Sequence, residues 1–282
     1  MGTVDDIEDV QDVADAGATG ATARPRRMWG TAGVFLAVAF AASGALGAAQ
    51  PALGVPSEVL ELTQFGPAAG VAALAVFQRE RVARLLRGGG LRGAGRAGAL
   101  LGTAALVVAL GVLGYLAYRG GGGGTWFTRP GAFGQPFALI VVAQLVGACG
   151  EEIGWRCLLQ PLLRTRFGTI ASSVTVGVLW GAWHVQVFAQ RPGYAAAFLA
   201  ATTGMSVVLG LALDGTGGAY RLLLAGGFHT LVNLGMLLFL DEEAGGVLAM
   251  ACFAASSLLA ALLWAARAGA GAGKAPATLH GT

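Results

Sequence analysis

Long apolar segments recur along most of the chain, separated by short connections that are rich in glycine or arginine. A run of roughly 18 or more apolar residues is long enough to cross about 30 Å of hydrocarbon as a helix. The pattern therefore predicts an all-α fold, a polytopic transmembrane helical bundle with about eight spans. The predicted spans cover residues 29–50, 59–77, 97–118, 136–160, 170–189, 195–213, 222–240 and 246–266. The short strands of alternating polarity that build a membrane β-barrel do not occur in the sequence.

The composition excludes a water-soluble fold. Hydrophobic residues make up 55% of the chain and charged residues only 12%, whereas about one quarter of a soluble domain is charged. The formal net charge is +3, but the basic residues lie in short segments between apolar runs and not in one binding stripe. We therefore expect the lipid bilayer as a partner and no nucleic acid.

The distribution of arginines gives the predicted spans an orientation, because cytoplasmic loops carry an excess of basic residues. With eight spans, both termini and the connections after spans two, four, six and eight lie on one side. That side holds Arg24, Arg26, Arg27, Arg79, Arg81, Arg84, Arg87, Arg92, Arg96, Arg164, Arg166, Arg221, Arg267 and Lys274. The other side holds Arg119, Arg129 and Arg191, together with the acidic Glu58, Asp241, Glu242 and Glu243. We predict a multi-pass protein of the plasma membrane with both termini in the cytoplasm.

The fourth predicted span contains charged side chains, which at membrane depth are rarely present without pairing or function. It reads CGEEIGWRCLL, with Glu151 and Glu152 adjacent and Arg156 one helical turn further on. On a helix Glu152 and Arg156 share a face, while Glu151 points about 100° away around the axis. We predict that Arg156 pairs with Glu152 and keeps it ionised, and that Glu151 is free to act as a base.

Two further spans carry polar groups one helical turn apart. Span five reads VLWGAWHVQVF and contains Trp180 and His184, and span seven reads GGFHTLVNLG and contains His229 and Asn233. Counted at about 1.5 Å per residue from the predicted cytoplasmic ends, the two histidines, Asn233 and Glu151 lie roughly 10 to 20 Å deep, so they can share one cavity. Three tryptophans of spans four and five are interpreted as packing residues: Trp155, Trp180 and Trp183.

These groups suit the hydrolysis of a peptide bond, in which a base takes a proton from water and other donors stabilise the developing oxyanion. Glu151 with His184 would activate the water, and His229 with Asn233 would donate to the oxyanion. Alternatively, Glu151, His184 and His229 could bind Zn²⁺, since carboxylate and imidazole are ordinary zinc ligands. The residues leave both mechanisms open. We give a small preference to the metal-independent one, because the amide of Asn233 is an uncommon zinc ligand.

The three motifs resemble those of the CPBP family, the CAAX proteases and bacteriocin-processing enzymes, also called the Abi family and related to the Ras-converting CAAX endopeptidase. The family pattern EExxxR is similar to Glu151–Arg156, FxxxH to Trp180–His184 and HxxxN to His229–Asn233. Trp180 replaces the usual phenylalanine and keeps an aromatic ring. The resemblance implies an intramembrane endopeptidase, usually classed as a metalloprotease, although the metal is disputed within the family. The catalytic residues that it implies are Glu151, Glu152, Arg156, His184, His229 and Asn233.

We divide the chain into three regions. Residues 1–27 are too polar to order themselves and are predicted to be a disordered cytoplasmic tail. Residues 28–267 form the membrane domain, with a catalytic core at about 136–240, and residues 268–282 are a flexible cytoplasmic tail. The expected substrate is a peptide or a membrane protein. Two other functions remain open, a proton-coupled secondary transporter and a non-catalytic immunity protein that binds a peptide or toxin on the same fold.

Overall fold

The computed structural model describes residues 5–87, 93–119, 127–239 and 246–272. Within these ranges the chain forms helices and no strand, which confirms the predicted all-α class. The α-helices are α1 (Asp5–Leu53), α2 (Gly66–Phe77), α3 (Arg79–Leu86), α4 (Ala94–Arg119), α5 (Phe137–Gly154), α6 (Gln160–Arg164), α7 (Thr169–Trp183), α8 (Pro192–Ala212), α9 (Gly218–Phe239) and α10 (Val247–Ala272). Short 3₁₀ helices occupy Leu62–Phe65, Pro130–Phe133 and Val185–Ala189.

Eight helical segments correspond to the eight predicted spans, and six of them are long and apolar enough to cross a membrane. These six are Arg27–Leu53, Ala94–Tyr118, Phe137–Arg164, Pro192–Ala212, Gly218–Phe239 and Val247–Ala270. The other two, Leu62–Phe77 and Thr169–Trp183, are apolar but shorter. The protein is therefore a polytopic helical membrane protein with six to eight spans.

The two ends of the chain extend beyond the membrane helices. Helix α1 begins at Asp5 and so includes most of the segment predicted as a disordered tail. Several residues used to predict the topology lie outside the described ranges, as do positions 273–282 of the predicted C-terminal tail. These residues are Arg92, Asp241, Glu242, Glu243 and Lys274.

Helix α5 does not stop at the acidic pair. The turn Trp155–Leu159 is a π-helix and leads directly into α6. A π-turn inserts one residue into the helical register and is found most often at functional sites. Here it follows immediately after Glu151 and Glu152, and it carries Arg156.

Helix α8 is the most enclosed of the six long helices and packs between α7 and α10. Glycines allow these close contacts. A Cβ on Gly177 of α7 would lie 2.6 Å from the Cα of Thr203, and one on Gly204 of α8 would lie 2.8 Å from the carbonyl carbon of Ser257. Small residues at such crossings are typical of membrane helices, which gain stability by close backbone approach. This packing fixes α7, the helix that ends at His184.

Candidate active site

Glu151 lies on α5 with only 1% of its surface exposed, and both of its carboxylate oxygens accept a hydrogen bond. Gln64 Nε2 donates to Oε1 at 3.1 Å, and the indole Nε1 of Trp180 donates to Oε2 at 2.7 Å. The carboxylate is thus held in a fixed orientation by two donors from two other segments. Neither partner is a charged group, and the role of Glu151 as a base stays a prediction.

The contact with Gln64 depends on a glycine of α5. Gly147 lies one helical turn before Glu151, and a Cβ at this position would come within 2.1 Å of Gln64 Oε1. A methyl group at this position would displace the glutamine amide from its place beside the carboxylate. Gln64 itself is buried, and its Oε1 has no hydrogen-bond partner among the described residues.

Glu152 faces a different environment from its neighbour. Its Oε2 lies 3.1 Å from Arg156 Nε, and both side chains are buried, at 0% and 1% exposure. This ion pair confirms the pairing predicted from the sequence. Arg156 Nη1 also donates to the hydroxyl of Ser206 at 3.0 Å, and its guanidinium lies over the ring of Trp180, 4.9 Å from the centroid.

His229 connects the ion pair to the cavity. Its Nδ1 lies 3.0 Å from Oε1 of Glu152, so the ring N–H donates a hydrogen bond to the carboxylate on that side. A carboxylate on one ring nitrogen fixes the orientation of an imidazole and stabilises its charged form. The indole of Trp180 stands nearly perpendicular to this ring, with centroids 5.1 Å apart. Because Nδ1 contacts Glu152 and His229 lines the cavity, Nε2 is the ring nitrogen that can act there.

His184 marks the end of α7, not the middle of a span. The sequence predicted a continuous helix over residues 170–189, whereas the structure ends the helix at Trp183, with His184 at φ −76° and ψ 68°. The ring explains part of this, because its Nδ1 donates to the carbonyl of Trp180 at 2.9 Å and satisfies a backbone group at the helix end. In the neutral ring this places the free lone pair on Nε2.

Asn233 is also held by a neighbour. Its Nδ2 donates to Oε1 of Gln144 on α5 at 3.1 Å. Gln144 in turn lies 3.5 Å from the carbonyls of Glu58 and Val59. The amide nitrogen of Asn233 carries a second hydrogen, which remains available as a donor.

A cavity of about 650 Å³ brings most of these groups together. Four of the six predicted catalytic residues line it: Glu151, His184, His229 and Asn233. Glu152 and Arg156 do not line it and lie behind its wall. Its lining also includes Trp180, Gln64 and Gln144, and at the entrance Glu58 and Glu61.

The residues predicted as zinc ligands do not form a metal site in this arrangement. No group of three His, Cys, Asp or Glu side chains is placed to hold a metal ion within the described part of the chain. Both histidines use Nδ1 for protein contacts, as metal-ligating histidines also do. What does not fit a ligand group is the placement of Glu151, His184 and His229, whose described side chains are not grouped to hold an ion.

Sequence reasoning missed three residues of the site, namely Gln64, Gln144 and the polar role of Trp180. Trp180 was interpreted as packing, but its indole N–H bonds the carboxylate of Glu151. Gln144 lies two turns before Glu151 on the same face of α5, and a glutamine in an apolar span is a signal of the same kind as a charge. Gln64 gives no such signal, because it lies near the end of a predicted span, where polar residues are ordinary.

The comparisons with known proteins concern this part of the chain. Residues 133–235 match the family model described as "Type II CAAX prenyl endopeptidase Rce1-like". The chain is also similar to lysostaphin resistance protein A of Staphylococcus aureus strains bovine RF122, Newman and USA300, with 26% identity over 131 residues. That match covers 45% of this chain but only 30% of each relative. The resemblance predicted from the three motifs is thereby confirmed for the segment that contains all six predicted site residues.

Proposed function

We propose that this protein is an intramembrane endopeptidase that hydrolyses a peptide bond with a water molecule activated by Glu151 and His184. The observation that carries the proposal is the convergence of four polar side chains on one cavity within the membrane domain: Glu151, His184, His229 and Asn233. The match of residues 133–235 to a CAAX endopeptidase family supports the same reaction class.

The base is Glu151. Two donors hold its carboxylate at the cavity wall, so little reorganisation is required when a water molecule approaches. His184 assists from the same cavity. Because its Nδ1 donates to the Trp180 carbonyl, its Nε2 is the nitrogen that can accept a hydrogen from the water.

The oxyanion is stabilised by His229 and Asn233. The buried pair of Glu152 and Arg156 lies behind His229, and the carboxylate of Glu152 supports the protonated ring. This leaves Nε2–H of His229 as a charged donor. Asn233 adds its second amide hydrogen, while Gln144 fixes the orientation of the amide.

The reaction then balances with water as the only co-reactant. The water oxygen attacks the scissile carbonyl carbon as Glu151 takes one proton, and the carbonyl oxygen becomes the oxyanion that His229 and Asn233 stabilise. When the carbon–nitrogen bond breaks, the protonated Glu151 returns its proton to the departing amine. The products are a new carboxyl terminus and a new amino terminus.

The test is to identify the cleaved termini. Membranes containing the wild-type protein are compared with membranes containing equal amounts of Glu151→Gln by terminal proteomics. We expect a set of new protein termini in the first sample that is missing from the second. A peptide spanning one such site should then be cut by purified wild-type protein in detergent. Identical termini in both membranes would contradict the proposal, and a transporter or a binding protein would then be the better description.

We also propose that the protein resides in the plasma membrane with both termini in the cytoplasm. The support is the arginine distribution along the sequence and the six long apolar helices. The substrate class that fits a membrane-embedded cavity is a peptide or a membrane protein.

A further inference from the structure

The cavity opens at one end of the bundle, which we call the mouth end. Its lining includes residues from three connections, at 57–61 before α2, at 128–133 before α5 and at 186–190 before α8. The end of α9 joins them, because the backbone N–H of Thr128 donates to the carbonyl of Leu238 at 2.8 Å. Among the described residues, the mouth end is thus formed by the connections near the ends of the first, third and fifth predicted spans and by the end of α9.

The opposite end of the bundle holds most of the arginines, and we call it the arginine end. Its segments are joined by contacts of their own: Arg81 Nη1 donates to the carbonyl of Arg27 at 3.2 Å, and Thr165 Oγ1 donates to Met28 Sδ at 3.7 Å. The described basic residues of this end are Arg27, Arg79, Arg81, Arg84, Arg87, Arg96, Arg164, Arg166, Arg221 and Arg267. None of the described residues that line the cavity comes from the connections at this end.

The mouth end carries much less basic charge. By sequence it holds Arg119, Arg129 and Arg191 together with Glu58 and Glu61, against the ten arginines named for the arginine end. Short connections rich in Lys and Arg stay in the cytoplasm, since they are not translocated across the membrane. The charge pattern therefore places the arginine end in the cytoplasm and the mouth end on the other side.

We propose that the chamber takes its substrate from the non-cytoplasmic side of the membrane. This inference rests on the proposed peptidase function and adds the side from which the peptide enters. The substrate class is then a peptide at the outer face, or a membrane-protein segment that lies outside the cytoplasm or in the outer half of the bilayer. A cytosolic C-terminal peptide would approach the arginine end, where none of the described connections lines the cavity.

The test measures the side of the mouth without using activity. In a background with Cys149→Ala, Cys157→Ala and Cys252→Ala, two single-cysteine variants are compared, Ser57→Cys at the mouth end and Gly168→Cys at the arginine end. Ser57 lines the cavity and is exposed, and a Cβ at Gly168 meets no atom within 4 Å. Both variants are treated with a membrane-impermeant maleimide, first in intact cells and then after lysis.

We expect Ser57→Cys to be labelled in intact cells and Gly168→Cys only after lysis, with at least a tenfold difference between the two variants in intact cells. Labelling of Gly168→Cys but not of Ser57→Cys in intact cells would overturn the inference. Equal labelling of both in intact cells would overturn it as well, and so would a Ser57→Cys variant that stays unlabelled after lysis, because the mouth would then be closed to water.

A second readout separates the side of entry from the peptidase function. Sites found by terminal proteomics should map to non-cytoplasmic segments or to the outer halves of membrane helices. Sites that map to cytoplasmic segments would support the peptidase function and contradict the proposed side of entry. If the maleimide pattern is as expected but no cleavage site depends on Glu151, then the mouth has the proposed orientation and the peptidase function is contradicted.

Discussion

Two adjacent carboxylates of α5 lie in two different regions of the molecule. Glu152 belongs to a closed cluster, in which Arg156 and His229 are its partners and its own carboxylate does not line the cavity, although His229 does. Glu151 belongs to the cavity wall, where its partners are the neutral N–H groups of Gln64 and Trp180. Successive side chains on a helix point about 100° apart around the axis. That rotation is enough to place one carboxylate in a buried ion pair and its neighbour in the wall of the cavity.

The largest effect is expected where the closed cluster is broken. Arg156→Ala leaves Glu152 buried without its charged partner, and such a loss typically destabilises a fold by about 3 to 5 kcal/mol. Arg164→Ala is the matched control, because its pair with Asp214 is partly exposed and exposed pairs contribute only about 0.2 to 1 kcal/mol. Thermal unfolding in detergent measures both. If Arg156→Ala melts like Arg164→Ala, then the cluster is not closed to water.

The second prediction compares Glu151 and Glu152 directly, by an isosteric substitution of each. Glu151→Gln should reduce cleavage by roughly a hundredfold or more, since it removes the general base, while the melting temperature changes little. Glu152→Gln should lower the melting temperature, because it leaves the buried Arg156 without a counter-charge. Activity and melting are measured on both variants. If folded Glu151→Gln enzyme keeps more than a tenth of the wild-type rate, then another residue is the general base.

A smaller effect is expected from Trp180→Phe, which keeps the aromatic ring over Arg156 and removes only the N–H that bonds Glu151. A hydrogen bond to a charged group contributes about 1.5 to 3 kcal/mol, so a loss of roughly ten- to a hundredfold in kcat is expected, with KM almost unchanged. Trp183→Phe is the control, because its indole bonds Ser43 and not the carboxylate. Equal losses in both variants would mean that Trp180 acts by packing alone.

Gly147→Ala should have a weaker effect through Gln64. The new methyl group displaces the glutamine amide, and Glu151 loses a donor while its own side chain stays in place. We expect a loss of a few-fold in kcat. Gly102→Ala on α4 is the control, since its Cβ meets no atom within 4 Å and the change should leave the rate alone. A Gly147→Ala enzyme with the wild-type rate would show that Gln64 does not orient the base.

The smallest effect is expected from a metal chelator. If Glu151 activates water directly, purified protein should contain much less than one metal ion per chain, and a chelator should leave its rate unchanged. Elemental analysis and activity before and after chelation measure this. Stoichiometric zinc that restores activity to chelated protein would make both histidines ligands and would require the site to rearrange, since Glu151, His184 and His229 do not form a ligand group here.

The fold followed from the sequence because hydrophobic length alone defines a membrane helix. The pairing of Glu152 with Arg156 also followed, since it lies within one helix and needs only the 3.6-residue period. Contacts between helices could not be predicted from the sequence. Gln64 meets Glu151 across 87 positions of the chain, and periodicity contains no information about that distance. The break at His184 was missed because the apolar run continues past it, and the cap depends on a ring contact with the Trp180 carbonyl.

The short length of α7 has a consequence for the surrounding lipid. Its 15 residues span about 22 Å, whereas the hydrocarbon layer is about 30 Å thick. The helical segment Leu62–Phe77 is also short, and both border the cavity. Lipid next to short helices thins to reduce hydrophobic mismatch. A substrate helix that approaches this flank would leave hydrocarbon for a polar interface near Glu151, where water can replace its backbone hydrogen bonds and the chain can unwind before cleavage.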